Sequence, residues 1–227
     1  MDIKSIPNHE LERLKQKAQE LSGSKTDFHT EYSSLLARRL NNEPLQYIEE
    51  FMPFYTVQLR VDERALIPRP ETEYLIEVIK NKVKDPKSIL DVGTGGGFPG
   101  IPLAILFPNV EFLLVDSIRK KIKVVNEVAN SIGLKNLRAE HKRAEQVDGQ
   151  FDFVVSRAVT RMKVFQQWVR KRISTKQRNI LFNGILYLKG GDLTEELEGI
   201  KNVELYNIPD FFEEEFFETK KVVYIRL

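Results

Sequence analysis

The stretch "DVGTGGGFPG", residues 91–100, sets five glycines and a proline between two apolar runs, "SIL" and "IPLAILF". Glycine takes positive φ freely and carries no side chain, so such a cluster clears a place where a ligand approaches the main chain. If a strand precedes the cluster and a helix follows, the loop lies where parallel α/β sheets bind ligands, with free amides in the first turn of the helix. Gly95, Gly97 and Gly100 satisfy G-x-G-x-x-G, and Asp116 stands 19 residues after Gly97 at the end of the next apolar run. A carboxylate there accepts hydrogen bonds from ribose hydroxyls. A dinucleotide and a sulfonium nucleoside such as S-adenosylmethionine both need that acid. Asp91, still within the first run, favours the second ligand: it repels a pyrophosphate and tolerates a cationic methionine end.

Other chemistries lack their residues. There is no cysteine, which excludes disulfides, thiolate metal sites and a cysteine nucleophile. His9, His29 and His141 are scattered, so no metal site is expected. The formal net charge of +2 makes no global demand for nucleic acid, and any basic surface must be local. Two runs qualify: "RKKIK" (119–123) and "RKRISTKQR" (170–178), the latter close to Trp168. They suit RNA phosphates, or else are solvated helix faces. No apolar run approaches the ~20 residues that cross a bilayer, and the first residues lack the apolar segment of a signal peptide, so a cytoplasmic protein without membrane partners is expected.

Periodicity supplies the elements that would position these residues. Residues 8–22 and 27–41 read as amphipathic helices. "FYTVQLRV" (54–61) alternates like a half-buried strand, with "ALI" (65–67) as its expected hairpin partner. A helix restarts after Pro70, with Glu71 and Glu73 suiting its positive end. From residue 87 strand-like runs at 88–93, 111–116, 137–143, 151–158 and 184–190 alternate with helical stretches at 99–107, 119–132 and 161–173. Repeated β-α-β favours a parallel sheet covered by helices on both faces. The last two strands, 203–208 and 221–227, follow one another without a helix and suggest an antiparallel excursion at or near the sheet edge. The aromatic and acidic stretch 211–221 reads as a loop burying phenylalanines under that edge. The expected fold is α/β, a Rossmann-like seven-stranded, mostly parallel sheet with an antiparallel C-terminal strand. A helical region (1–53) and a β-hairpin linker (54–69) precede a catalytic domain (70–227).

Two families are resembled in one chain. "ILDVGTGGGFPGIPLAI", "FLLVDSIRKKIKVVNEVANSIGL", "RAEQV", "FDFVVSRAV" and "LYLKGG" resemble the small-subunit ribosomal RNA guanine-N7 methyltransferases, the glucose-inhibited division protein B family, from about residue 87 onward. "LLARRLNNEPLQYIEEFMPFYTVQLRVDERALIPRPETEYLIEVI" (35–79) is similar to the linker region of release-factor glutamine methyltransferases, but that family's Asn-Pro-Pro-Tyr is replaced by "VVSRAV" (154–159). The Asn-Leu-Thr-like and Arg-His…Asp-Ser stretches of the ribosomal RNA family are not found before residue 87.

The first resemblance implies a class I methyltransferase fold, S-adenosylmethionine as cofactor and ribosomal RNA of the small subunit as partner. It implies cofactor contacts from Gly93, Thr94, Gly95, Gly97, Phe98, Asp116, Ala144, Glu145 and Arg157. Lys189, in "LKGG", is expected either to meet an RNA phosphate or to end a strand. No catalytic side chain is expected, because a guanine ring nitrogen attacks an activated methyl with its own lone pair and loses no proton. The alternatives are a protein glutamine methyltransferase and a cofactor-binding hybrid without acceptor activity.

Overall fold

A computed structural model of the chain describes residues 5–23, 26–64, 66–157, 159–207 and 219–227. It divides into two compact units, residues 1–67 and 68–227.

The first unit holds three helices, α1 (Asn8–Leu21), α2 (Phe28–Leu40) and α3 (Leu45–Glu49), and a hairpin of β1 (Phe51–Phe54) and β2 (Val57–Arg60). Asp27 caps α2 by accepting the Thr30 amide, as its place before an apolar periodic run requires. Leu14, Ala18, Leu35, Leu45 and Ile48 close a small core of their own. The expected hairpin of 54–61 with 65–67 is corrected here. Phe51 pairs with Arg60 and Phe54 with Val57. Tyr55 takes a left-handed φ of 53°, which ends the extended run after Phe54 and reverses the chain there, and Leu66 and Ile67 lie outside any strand.

The second unit runs α4 (Glu71–Lys82), β3 (Ser88–Val92), α5 (Gly100–Leu106), β4 (Glu111–Asp116), α6 (Arg119–Ser131), β5 (Leu137–His141), β6 (Phe153–Arg157), α7 (Met162–Val169), β7 (Gly184–Gly190), α8 (Thr194–Leu197), β8 (Val203–Asn207) and β9 (Lys220–Arg226). Its seven strands order as β5-β4-β3-β6-β7-β9-β8. The first five are parallel, and β9 enters antiparallel to both β7 and β8. Alternation sets the faces. Leu90, Val92, Leu113, Val115, Val154, Ile185 and Tyr187 pack with Met162, Phe165 and Val169 of α7. Asp91 and Leu114, one residue out of step, meet the start of α5 instead. The stretch 211–221 lies, up to residue 218, outside the described residues.

The expected helix over 161–173 ends early. After Val169 the chain tightens into a 3₁₀ turn, Arg170–Arg172. Phe151 then donates its amide to the Arg172 carbonyl, and Ser174 donates to that of Phe151. These bonds tie the basic run 170–178 to the residues leading into β6, at the amino ends of the parallel strands.

Candidate cofactor and acceptor site

The glycine loop joins β3 to α5 at the carboxyl ends of the parallel strands, and its hydrogen bonds are nearly all internal. The amides of Gly93 and Thr94 donate to Val115 O. Those of Gly97 and Phe98 donate to Thr94 O, and that of Ile101 to Gly97 O. The Gly100 amide, at the start of α5, donates to Asp91 Oδ2 at 3.0 Å. The expectation of free first-turn donors is thereby corrected, because the strand's own carboxylate and the loop's carbonyls have taken them. A pyrophosphate would find a carboxylate where it needs amides.

Two glycines are dictated by space as well as conformation. Gly93 has φ 71°, and a Cβ there would collide with the Val159 side chain. A Cβ on Gly100 would stand 2.5 Å from Leu114 Cδ2 and 2.8 Å from Asp91 Oδ2. The second glycine is what lets α5 sit on Asp91.

Asp91 is 1% exposed. Burial pushes its carboxyl up to about 7, against the pull of the Thr94 hydroxyl, the Gly100 amide and the Arg157 charge, with the Asp116 charge adding to the rise. Asp91 Oδ1 faces the Thr94 hydroxyl, and beyond each other neither buried group meets a hydrogen-bonding partner. A buried carboxylate so sparsely paired suits a ligand that brings donors. An ammonium group does so, as at the methionine end of S-adenosylmethionine.

Asp116 ends β4 beside the loop. Its Oδ2 accepts the Gly95 amide at 3.1 Å and its Oδ1 the Ile118 amide at 2.9 Å, with Lys121 Nζ 3.6 Å away. It therefore fastens the tips of β3 and β4 to each other and leads the chain into α6. Each carboxylate oxygen keeps a lone pair for a ribose hydroxyl. Ala144, buried, and Glu145, exposed, lie in the 3₁₀ turn that follows β5. Phe98 is half-buried next to Gly97 in the loop. Gly93, Thr94, Gly95, Gly97, Phe98, Asp116, Ala144, Glu145 and Arg157 thus all stand at the carboxyl edge of four adjacent strands, β5-β4-β3-β6.

Sequence reasoning missed the partners of Arg157. Its guanidinium donates to Thr72 Oγ1 at 2.6 Å. Burial draws its pKa down, and the carboxylates of Asp91 and Glu71 oppose that. Glu71, read from the sequence as an acid suiting the positive end of a helix, is 4% exposed, with its Oε2 unpartnered and its Oε1 3.9 Å from Arg69. A proline-led helix start carrying an acid gave no sign of burial, since the same pattern suits the dipole of an exposed helix.

Val159 connects this cradle to a second feature. One side of it lies over Gly93, and it also lines a cleft of about 300 Å³ with Thr160, Arg161, Lys189 and Gly190. Any molecule in that cleft is one side chain away from the glycine loop. Among the described residues no group of three or more potential metal ligands is present, and no helix is long and apolar enough to cross a membrane.

The sheet order, with its late antiparallel strand and a glycine loop at the carboxyl edge, defines a class I methyltransferase fold. Solved structures of that class share it. A ribosomal protein L11 methylase from Lactobacillus delbrueckii subsp. bulgaricus superposes with a TM-score of 0.54 at 16% identity over 74% of this chain and 84% of its own. A Pyrococcus abyssi tRNA (uracil-54, C5)-methyltransferase in complex with S-adenosyl-L-homocysteine gives 0.53 at 14% identity, over 77% of this chain and 44% of its own. Within the class, the chain belongs to the rRNA small subunit methyltransferase G family (GidB), whose model matches residues 72–217. Relatives bearing the name ribosomal RNA small subunit methyltransferase G include one from Flavobacterium johnsoniae, 58% identical over 64% of this chain and 70% of its own length. Another, from Christiangramia forsetii, is 46% identical over 78% of this chain and 86% of its own.

Proposed function

We propose that this protein transfers a methyl group from S-adenosylmethionine to small-subunit ribosomal RNA, at a guanine N7, in the cytoplasm. The observation that carries the reading is the glycine loop. Its amides are nearly all bound internally, its floor is the buried Asp91, whose Oδ1 meets no protein group beyond the Thr94 hydroxyl, and Asp116 stands beside it. That arrangement suits a nucleoside with a cationic tail and opposes a dinucleotide.

Gly93, Thr94, Gly95, Gly97 and Phe98 would line the cofactor, Asp116 would hold its ribose, and Ala144 and Glu145 would border the adenine. Asp91 and Thr94, with Arg157 next to them, would fix the methionine end. The cofactor supplies a methyl already activated on sulfonium. The chain's residues align the acceptor with it and exclude water, which is where the rate gain for such a transfer arises. No side chain has to remove a proton, since the guanine nitrogen attacks with a lone pair. The acceptor base enters over Val159, the residue shared by loop and cleft. Of the two basic runs, 119–123 favours RNA phosphates. Arg119, Lys120, Lys121 and Lys123 are exposed at the start of α6, on the site's own edge, whereas 170–178 lies at the amino ends of the strands.

Small ribosomal subunits lacking the modification, incubated with the protein and methyl-labelled cofactor, test this by mass spectrometry of the digested RNA. Label on a guanine N7 is expected. Label on a release-factor glutamine, or cofactor binding with no label transferred, would replace the reading with one of its alternatives.

A further inference from the structure

Lys189 stands on the rim of the cleft, where a cation looks ready for a phosphate, but its ammonium is already engaged. Nζ donates to Thr160 O at 2.8 Å and pairs with Glu196 Oε1 at 2.6 Å, and the side chain is 11% exposed. It also lies 4.8 Å above the Tyr187 ring. Glu196 Oε1 accepts the Met162 amide at 2.6 Å as well. The Tyr187 hydroxyl accepts the amides of Val159 and Thr160, at 2.7 and 2.8 Å, and donates to Thr160 O at 3.0 Å. A phenol has one hydrogen and two lone pairs, so this one is fully used. Three side chains from β7 and α8 therefore hold three amides and one carbonyl in the short segment that follows β6. That segment carries Val159, the side chain between the glycine loop and the cleft.

We propose that Lys189 and Glu196 form a positioning pair which, together with Tyr187, sets the height of Val159 and Thr160 and so the placement of the acceptor base, and that Lys189 is not a phosphate contact. The proposal rests on the functional reading above and deepens it. Alignment of nucleophile and methyl is the main task of the site, and a displacement near 1 Å is enough to lose about a hundredfold in rate. A loop held only by backbone would drift on that scale. A loop pinned through a half-buried ion pair and a saturated phenol does not.

The test uses the full chain with Lys189→Met, Glu196→Gln and Lys189→Arg. Five quantities are read: kcat and KM on small subunits, cofactor affinity by calorimetry, the salt dependence of RNA binding, and hydrogen exchange of the amides of Val159, Thr160 and Met162. Lys189→Met is expected to lower kcat about tenfold or more, and Glu196→Gln about threefold or more. Cofactor affinity should stay within about twofold, and the salt slope should be unchanged. The three amides should exchange faster in both variants while those of β3 keep their protection, which shows that the fold is intact. The double variant should be little worse than Lys189→Met alone, because both act through one contact. Lys189→Arg, which keeps the charge and donors to both partners, should recover most of the rate. A loss confined to Lys189→Met, with a shallower salt slope and normal exchange, would make Lys189 a phosphate ligand and overturn the proposal. Wild-type exchange and kcat in Glu196→Gln would overturn it equally. If the wild-type protein labels no RNA, the functional reading fails, and the exchange measurement alone then decides whether the pair holds the segment.

Discussion

Asp91→Asn should make the protein more stable and worse at binding its cofactor. The Asp91 carboxyl titrates near 3.8 in an unfolded chain and is pushed up to about 7 in the fold, chiefly by burial. Between those values the unfolded chain releases a proton that the folded chain keeps. Stability therefore falls as pH rises from about 4 to about 7 and is level above that, where both states are ionised. The span amounts to about 4 kcal/mol at pH 8, an upper bound for the cost of the buried charge. Asparagine keeps an oxygen for the Gly100 amide, and its NH₂ can donate to the Thr94 hydroxyl oxygen. It gives up the attraction of Arg157. Setting that loss against the relief leaves a gain of about 2 kcal/mol at pH 8, or about 4–8 °C in melting temperature for a unit of this size. Near pH 5, where wild-type Asp91 is protonated, the gap should nearly close. Calorimetric melts of both proteins at pH 5, 6.5 and 8 give the three differences. Titration with S-adenosylmethionine at pH 8 should show affinity reduced about tenfold or more as the carboxylate facing an ammonium is lost. A variant that melts below wild type at pH 8, or a gap that stays constant with pH, would refute the account of Asp91 as a charge held at a cost for its ligand.

Asp116→Ala should weaken cofactor binding about tenfold or more by calorimetry, and should lower stability by about 1–3 kcal/mol because the Gly95 and Ile118 amides lose their acceptor. Gly100→Ala should destabilise by about 1–3 kcal/mol in denaturant melts, since the added methyl meets Leu114 and Asp91 in a packed interior. Asn136→Ala should cost about 1–3 kcal/mol by the same measurement. Its Nδ2 lies 3.0 Å from the carbonyls of Ala104, Phe107 and Val110, which the substitution leaves without their side-chain donor.

What could be read from residues alone was whatever repeats or is spaced. The five parallel strands and the late antiparallel pair announced themselves through apolar runs of strand length separated by helical periods. The glycine loop and Asp116 were legible because their spacing follows from the βαβ unit itself. Tyr55 was not, since nothing in "FYTVQLRV" marks a tyrosine at positive φ, and the hairpin shifted accordingly. Nor could the sequence tell which amides stay free. Asp91 was recognised as hostile to phosphate, but its bond to Gly100 depends on the twist that brings strand and helix together. The network around Lys189 joins residues from positions 159 to 196, and Thr72 meets Arg157 across 85 positions. Such contacts are set by strand order, which periodicity does not encode.

The placement of β9 ranks the parts of the sheet by how they can be lost. Among the described residues β8 is joined to the other strands only through β9, whereas β9 is bonded on both flanks. Peeling β8 away leaves the parallel strands and their ligand edge as they were. Withdrawing β9 sets β8 adrift and bares the flank of β7, the strand that bears Tyr187 and Lys189. Wear at this edge of the sheet therefore stops short of the site-bearing strands at the first strand and reaches β7 at the next.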